Sequence, residues 1–270
     1  MKVTYKALEF FNQYFKLEII EDGFVKLNNS WNMFKDSSPY NRLYFITGGK
    51  GYLKRDDSVI ELTPHHCYLI PSNSMYDFIC DENLDKFYIH FKASLVPGLE
   101  VFSDVYHCLS IPYSDTQIET LLKWVKDDRI ENQIMCRAEL LKVISQFITL
   151  YNIDKKLLDH TIKYKDIFQY IDKHLSIELH PNDICDRINI SYDSLRRIIK
   201  SDTGKTLKQH IDSMIMQRAK EQLVITDKTI KTIAYELDFK DEFYFSRYFK
   251  KHEGKSPTQY KTKYSTFNRK

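Results

Sequence analysis

Two sets of side chains in this sequence are typed and spaced for chemistry. Tyr192, Asp193, Arg196, Arg197 and Lys200 follow one another at steps of one, three, one and three residues, and Glu242, Phe243, Ser246, Arg247 and Lys250 repeat those steps. Such spacing places each set on one face of an α-helix. A guanidinium carries a planar fork of donors that fits O6 and N7 of guanine, a carboxylate accepts from cytosine N4, and a phenyl ring can touch a thymine methyl. Arg196 and Arg197, flanked by Tyr192 and Asp193, are therefore candidate base readers, as are Glu242, Phe243, Ser246 and Arg247. Lys200, Lys250 and Lys251 suit phosphate, which gives affinity without sequence information. Thr206 and Thr258 stand at helix starts, whose backbone N–H groups can also face phosphate. The plainer alternative for either face alone is a solvated surface in a helical bundle, and for Arg247 an ion pair within its own domain.

The elements that position these sets are themselves repeated. Ile230, Ile233, Ala234 and Leu237 recur at helical spacing; Asp238-Phe239-Lys240 breaks the pattern, and Asp241 is suited to cap a second helix that turns Phe245, Tyr248 and Phe249 inward. Upstream, Asn189 and Ile190 lie 49 residues before Asp238 and Phe239, while Arg197, Lys200, Gly204 and Gln209 lie 50 before Arg247, Lys250, Gly254 and Gln259. The turn absorbs the difference. In the first copy Pro181 opens a helix, Asn189 takes the left-handed turn position, and Ser191 caps a helix over 192–201 with Leu195, Ile198 and Ile199 inward. A helix from Asp166 should open the domain. Another over 207–222, burying Ile211, Ile215, Ala219 and Leu223, should connect the copies. Two such reading helices should lie about one helical turn apart on DNA, in successive major grooves.

The run from Ile230, with I-x-x-I-A, then Phe239, F-S-R-Y-F-K-K at 245–251, G-K-S-P at 254–257 and Tyr260-Lys261, resembles the signature of the AraC/XylS family of bacterial transcription regulators. The upstream copy is similar to the family's first DNA-reading unit. Asp238 stands where the family has glycine, Cys185 replaces alanine and Ile199 replaces phenylalanine; Asp tolerates a left-handed turn, and the other two remain apolar. The resemblance implies a two-domain α+β protein: an N-terminal cupin-like β jelly-roll with dimerisation helices, and a C-terminal all-α domain with two helix-turn-helix motifs. It implies promoter DNA, RNA polymerase, a small-molecule effector and a second copy of the chain as partners, with activation the commoner outcome.

From about Leu17 to Ala93 the sequence reads as β structure: LYFIT, GYLKR, SVIEL, CYLIP, YDFIC and KFYIHF are short apolar or alternating runs. Gly48-Gly49-Lys50-Gly51 and Arg55-Asp56-Asp57-Ser58 look like hairpin turns. Strands this short and frequent suggest a barrel or sandwich, and their order is similar to the family's effector domain. On the last strand Phe87, Ile89 and Phe91 share one face, Tyr88 and His90 the other. By resemblance, Tyr88 falls where sugar-sensing relatives pack an aromatic ring on the ligand. Trp31, Tyr68 and Tyr76, with His66, Tyr88 and His90, could form a wall suited to a sugar or other polar ring; the alternative for each is core filler. Histidines at 65, 66, 90 and 107 raise the question of metal, but adjacent His65 and His66 would point to opposite sides of a strand and no His-x-His pair is present. No metal, cofactor or catalysis is expected.

Ile118, Leu121, Leu122 and Val125 form one helical stripe, and Ile134, Ala138, Leu141, Ile144, Phe147 and Ile148 another, either for pairing two chains or for packing on the barrel. The expected domains are an effector domain over 1–115, a helical dimerisation segment over 116–151, a linker over 152–162 and the DNA-binding domain over 163–270. From Thr161 onward 22 lysines and arginines face 15 acids, whereas the first 160 residues carry 18 against 22. The basic half is the repeated half, as phosphate binding requires. Five cysteines without a C-x-x-C, no long apolar run and no secretory leader pattern point to a reducing cytoplasm and no membrane. The competing readings are a metal-dependent cupin enzyme or binding protein with a helical assembly tail, and an architectural DNA protein without sequence preference.

Overall fold

The computed structural model describes residues 11–96, 99–103, 105–152, 165–203 and 206–264. Described residues 17–93 and 101–152 form one compact unit, and 165–264 form the bulk of a second. Beyond Asn152, the expected linker lies outside the described residues, as does Gly204 of the repeat.

Residues 16–112 carry strands β1 (Lys16–Leu27), β2 (Met33–Asp36), β3 (Asn41–Gly49), β4 (Gly51–Arg55), β5 (Ser58–Leu62), β6 (His66–Ile70), β7 (Tyr76–Ile79), β8 (Leu84–Val96), β9 (Leu99–Glu100) and β10 (Leu109–Pro112). They form two sheets, one in the order β1-β8-β3-β6-β10 with β9 beside β8, the other β2-β7-β4-β5. Side chains alternate across a strand, so β3 sends Tyr44 and Ile46 one way and Leu43 and Phe45 the other. The first pair joins Leu53, Leu62, Tyr68, Ile70, Tyr76, Phe78 and Leu84 in a cluster drawn from both sheets. On the opposite side Phe45, Phe87, Ile89 and Phe91 are buried. Helices α1 (Asp115–Val125) and α2 (Ile130–Leu150) lie there: Tyr113 sets its ring edge-on to Phe45 at 4.9 Å and donates its hydroxyl to Glu139 of α2 at 3.1 Å.

Three expectations need correcting. The glycine run at 48–51 is not a hairpin, because β3 pairs with β6 and β8 while β4 pairs with β5 and β7. It carries the chain from one sheet to the other. Gly49, at φ 69°, lies so close to the carbonyl of Asn83 that a Cβ would fall 2.3 Å from its oxygen. Arg55-Asp56-Asp57-Ser58 is the hairpin expected, with Arg55 opposite Ser58. His65 does not alternate with His66 on a strand; it sits at φ 64° ahead of β6 and places Nδ1 3.1 Å from Asp115 Oδ1. The stripe on α2 divides: Ile144 and Phe147 are buried together with Leu140 and Val143, whereas Ile134 is 61% exposed and Ala138 is open to solvent. Apolar residues cover two faces of this helix, and only one of them meets the sheet.

The second unit is helical: α3 (165–173), α4 (Pro181–Ile188), α5 (Tyr192–Thr203), α6 (Leu207–Ile225), α7 (Ile230–Glu236), α8 (Glu242–Glu253) and α9 (Pro257–Tyr264). Helix α6 is buried on several sides, by Leu207, His210, Ile211, Met214, Ile215, Met216, Ala219, Leu223 and Val224, because α5, α7 and α9 all pack on it. Polar ties hold it in place: Tyr248 donates to Asp212 at 2.8 Å, Lys220 meets Glu253 at 2.6 Å, and Arg218 meets Asp172 at 2.6 Å. No helix among the described residues is long and apolar enough to cross a membrane.

Candidate functional site

The two helix pairs α4–α5 and α7–α8 are built by the same backbone chemistry. Each first helix ends in a left-handed residue, Asn189 at φ 54° and Asp238 at φ 56°. Past it the chain closes back on the helix: Ile190 N donates to Cys185 O at 3.2 Å, and Phe239 N to Ala234 O at 2.9 Å. That closure satisfies carbonyls a helix end leaves open, and it fixes the angle at which the next helix departs. Each second helix begins on a side-chain cap, with Ser191 Oγ accepting from Ser194 N at 3.2 Å and Asp241 Oδ1 from Tyr244 N at 2.6 Å. The helices that follow start on reciprocal boxes. Thr206 Oγ1 and Ser256 Oγ each accept from a glutamine N–H at 3.2 Å, and Gln209 and Gln259 each accept in return at 2.9 Å. The 49- and 50-residue offsets are thus visible as hydrogen bonds.

Under each second helix lies a small apolar core, Leu195 and Ile199 in α5, Phe245 and Phe249 in α8, all fully buried. The other face is left to solvent. Tyr192, Asp193, Arg196, Arg197 and Lys200 are exposed along α5, as are Phe243, Arg247, Lys250 and Lys251 along α8, with Glu242 and Ser246 half-buried among them. Phe243 is 68% exposed. Among the described residues no ion pair engages Arg196, Arg197 or Arg247. Thr206 and Thr258 are exposed at the starts of α6 and α9. Tyr235, 55% exposed on α7 with Lys231 near its ring, was not among the candidates; its off-stripe position was the available signal.

In the sheet unit the candidates gather, but their hydroxyls are already engaged. Tyr68 donates to Glu61 O at 2.9 Å, Tyr76 accepts from Cys108 N at 2.7 Å, and Tyr88 donates to Glu21 at 3.1 Å. His66 turns Nδ1 to Pro64 O at 3.1 Å and lies 5.9 Å from the ring of Tyr68. His90 places Nδ1 3.1 Å from Glu21 and stacks on Tyr40 at 4.8 Å. Burial pushes the imidazole down to about 4, against the pull of the Glu21 hydrogen bond, so it is neutral at ordinary pH and donates Nδ1–H. Burial likewise pushes Tyr88 up to about 12, with the Glu21 carboxylate adding to it. Trp31 sets its ring edge-on to Phe78 at 5.5 Å and lies 6.4 Å from Tyr44. Two buried cations, Arg42 and Lys86, escaped the candidate set. Alternation alone could have found them, since Arg42 keeps phase with Tyr44 and Lys86 with Tyr88.

The comparisons agree with this layout. Residues 184–263 match the model of a helix-turn-helix domain. The Msm operon regulatory protein of Streptococcus mutans is 23% identical over 230 residues, covering 81% of this chain and 83% of its own. The HTH-type transcriptional activator RhaR of Mannheimia succiniciproducens is 22% identical over 83% of this chain and 86% of its own. Among solved structures, apo ToxT from Vibrio cholerae has a TM-score of 0.52 at 16% identity, with 92% of this chain and 96% of that one covered. ToxT with an unsaturated fatty acid bound has a TM-score of 0.51 over similar spans. The fold is thus a two-domain α+β arrangement of N-terminal antiparallel sheets and a C-terminal helical domain. Residues 184–263 thus carry a helix-turn-helix domain, and the chain is similar over most of its length to proteins named as an operon regulator and a transcriptional activator.

Proposed function

We propose that this chain binds promoter DNA with two helix-turn-helix units and that a small molecule held between the N-terminal sheets sets its occupancy there. The observation that carries the reading is the duplicated, capped helix pair, which presents Arg196 and Arg197 on one copy and Phe243 and Arg247 on the other to solvent. Helices α5 and α8 enter successive major grooves. Arg196, Arg197 and Arg247 reach guanine edges, Tyr192, Asp193, Glu242, Phe243 and Ser246 flank them, and Lys200, Lys250, Lys251 and the helix starts at Thr206 and Thr258 hold phosphate. Asp193 and Glu242 also stand in the first turns of their helices, where the positive end of the helix favours a carboxylate.

The sheet unit is read as a cupin-like jelly-roll over 1–115. The ligand lies among Trp31, His66, Tyr68, Tyr76, Tyr88 and His90, and the fatty acid bound by ToxT supports a small-molecule site in the N-terminal sheets. The exposed strip of α2, Ile134 with Ala138 and on toward Leu141 and Ile148, suits a second copy of the chain. Two chains would then join four reading helices, raising affinity by effective concentration. The helical segment over 116–151, the linker over 152–162 and the DNA-binding domain over 163–270 complete the division. Activation through RNA polymerase, in the cytoplasm, accords with the naming of RhaR as an activator.

The test is recovery of fragmented source DNA by the purified full chain at physiological salt, where non-specific phosphate binding is weakened. One or a few promoter regions sharing a motif are expected, with the motif lost on Arg196→Ala or Arg247→Ala. Uniform recovery of all fragments would instead support the architectural alternative.

A further inference from the structure

One arginine inside the sheet unit has an open hydrogen-bonding edge. Arg42, 3% exposed, donates from Nη1 to Asp36 at 3.0 Å and lays its guanidinium over Phe78 at 4.6 Å. Its Nε and Nη2 complete no hydrogen bond of good geometry among the described residues, although the Tyr44 hydroxyl stands beside the guanidinium. Those two nitrogens share one edge of the guanidinium, where their N–H bonds run parallel and match two oxygens of a carboxylate or a phosphate. A neutral hydroxyl can accept from them but more weakly and without a compensating charge. Buried donors are paired in nearly all folded proteins, and a charged one is the costliest to leave open.

The surroundings point the same way. Arg42, Tyr44 and Ile46 of β3 lie opposite His90, Tyr88 and Lys86 of β8 in register, so all six share a face. Lys86, also 3% exposed, holds Nζ 3.3 Å from the centre of the Tyr44 ring and 4.2 Å from that of Trp31. Among the described residues Asp36 is the one acidic side chain that is buried, and it already serves Arg42. Glu21 accepts from Tyr88 and His90 nearer the surface. The interior is therefore rich in positive potential and walled by aromatic rings.

Resting on the reading of this interior as the effector site, we propose that the effector is an oxyanion, bearing a carboxylate or phosphate that Arg42 receives side-on through Nε and Nη2. Lys86 adds to its attraction, and the body of the ligand lies on Trp31, Tyr44 and Tyr88. An acidic sugar derivative fits this wall and brings the opposite charge, whereas a neutral sugar can accept from the arginine edge only through weaker hydroxyl hydrogen bonds.

The test follows the Nε–H signal of Arg42 by nitrogen-edited NMR of the full chain. The signal is assigned by its loss in Arg42→Lys or, should that variant not fold, by its proximity to the Phe78 ring protons. Acetate, inorganic phosphate and the neutral isostere acetamide are titrated in turn at constant ionic strength. A saturable shift with acetate or phosphate is expected, at least about tenfold weaker with acetamide; whichever anion binds more tightly identifies the group. No shift with either anion, or an equal shift with acetamide, overturns the proposal. Promoter binding is measured on the same samples with D-glucuronate and D-glucose. A response to glucose alone, without movement at Arg42, retains an effector-controlled regulator and overturns the oxyanion. A response to glucuronate that disappears in Arg42→Lys supports it. Absence of any sequence preference on DNA overturns the regulator reading and leaves the Arg42 result to stand or fall by its own titration.

Discussion

Helix α5 offers solvent Tyr192, Asp193, Arg196 and Arg197; helix α8 offers Glu242, Phe243, Ser246 and Arg247 from the matching positions. Beneath these different faces the two copies keep the same left-handed turn, the same closing hydrogen bond and the same caps. The difference teaches which parts the physics fixes. A helix end must satisfy its orphan groups and a turn must adopt a positive φ, so those positions admit few residue types. An outer face has no such demand and is free to specialise: each copy carries a ring and a carboxylate, but one adds two arginines and the other a serine and one arginine.

The comparison breaks most severely at the cores. Phe249→Ala should cost about 3–5 kcal/mol and its counterpart Ile199→Ala about 2–5 kcal/mol, read as a lowered urea midpoint. A single shared transition in both variants would show that α6 welds the copies into one cooperative body; two transitions would show that they unfold apart. At the outer faces, Arg196→Ala, Arg197→Ala and Arg247→Ala should each weaken cognate binding by about 1–3 kcal/mol and relax one base position. The positions relaxed through α5 and through α8 should lie about 10 base pairs apart in a selection experiment. At the turns, Asp238→Gly should raise stability by up to about 1 kcal/mol, and Asn189→Gly by less because asparagine tolerates the left-handed region; thermal melts of both variants measure the difference. Smallest of all, Lys200→Gln and Lys250→Gln should each lower the slope of log affinity against log salt by about 1 while leaving sequence preference unchanged.

The helical half was legible because its signals are local. Proline at 181, asparagine at 189, serine at 191 and aspartate at 241 each act on their own few residues, and all four stand where the sequence places them. The sheet half was legible in its strands but not in their partners. Gly48-Gly49-Lys50-Gly51 reads as a hairpin by composition, yet which strands pair is decided by residues far away, and here the glycines permit a close approach to Asn83 during a change of sheet. On α2 the apolar pattern covers two faces, and periodicity alone cannot say which of them finds the sheet. The aromatic candidates in the sheet unit were found by type, but their hydroxyls hold the fold together. The cations that give the interior its charge, Arg42 and Lys86, were passed over because charged residues are so often exposed.

Helix α6 has a consequence for operators. Its 19 residues span about 28 Å, and α5 and α8 are packed against the same body, so the copies are set in phase as well as in distance. Adding one residue to α6 would turn the second copy by about 100° relative to the first. Adding one base pair between the two half-motifs would turn the second groove away by about 34°. A tethered pair of readers would follow such a change; a pair packed on one body should lose affinity instead. Natural sites for this chain should therefore keep one spacing strictly, and variation among them should fall in the bases and not in the gap.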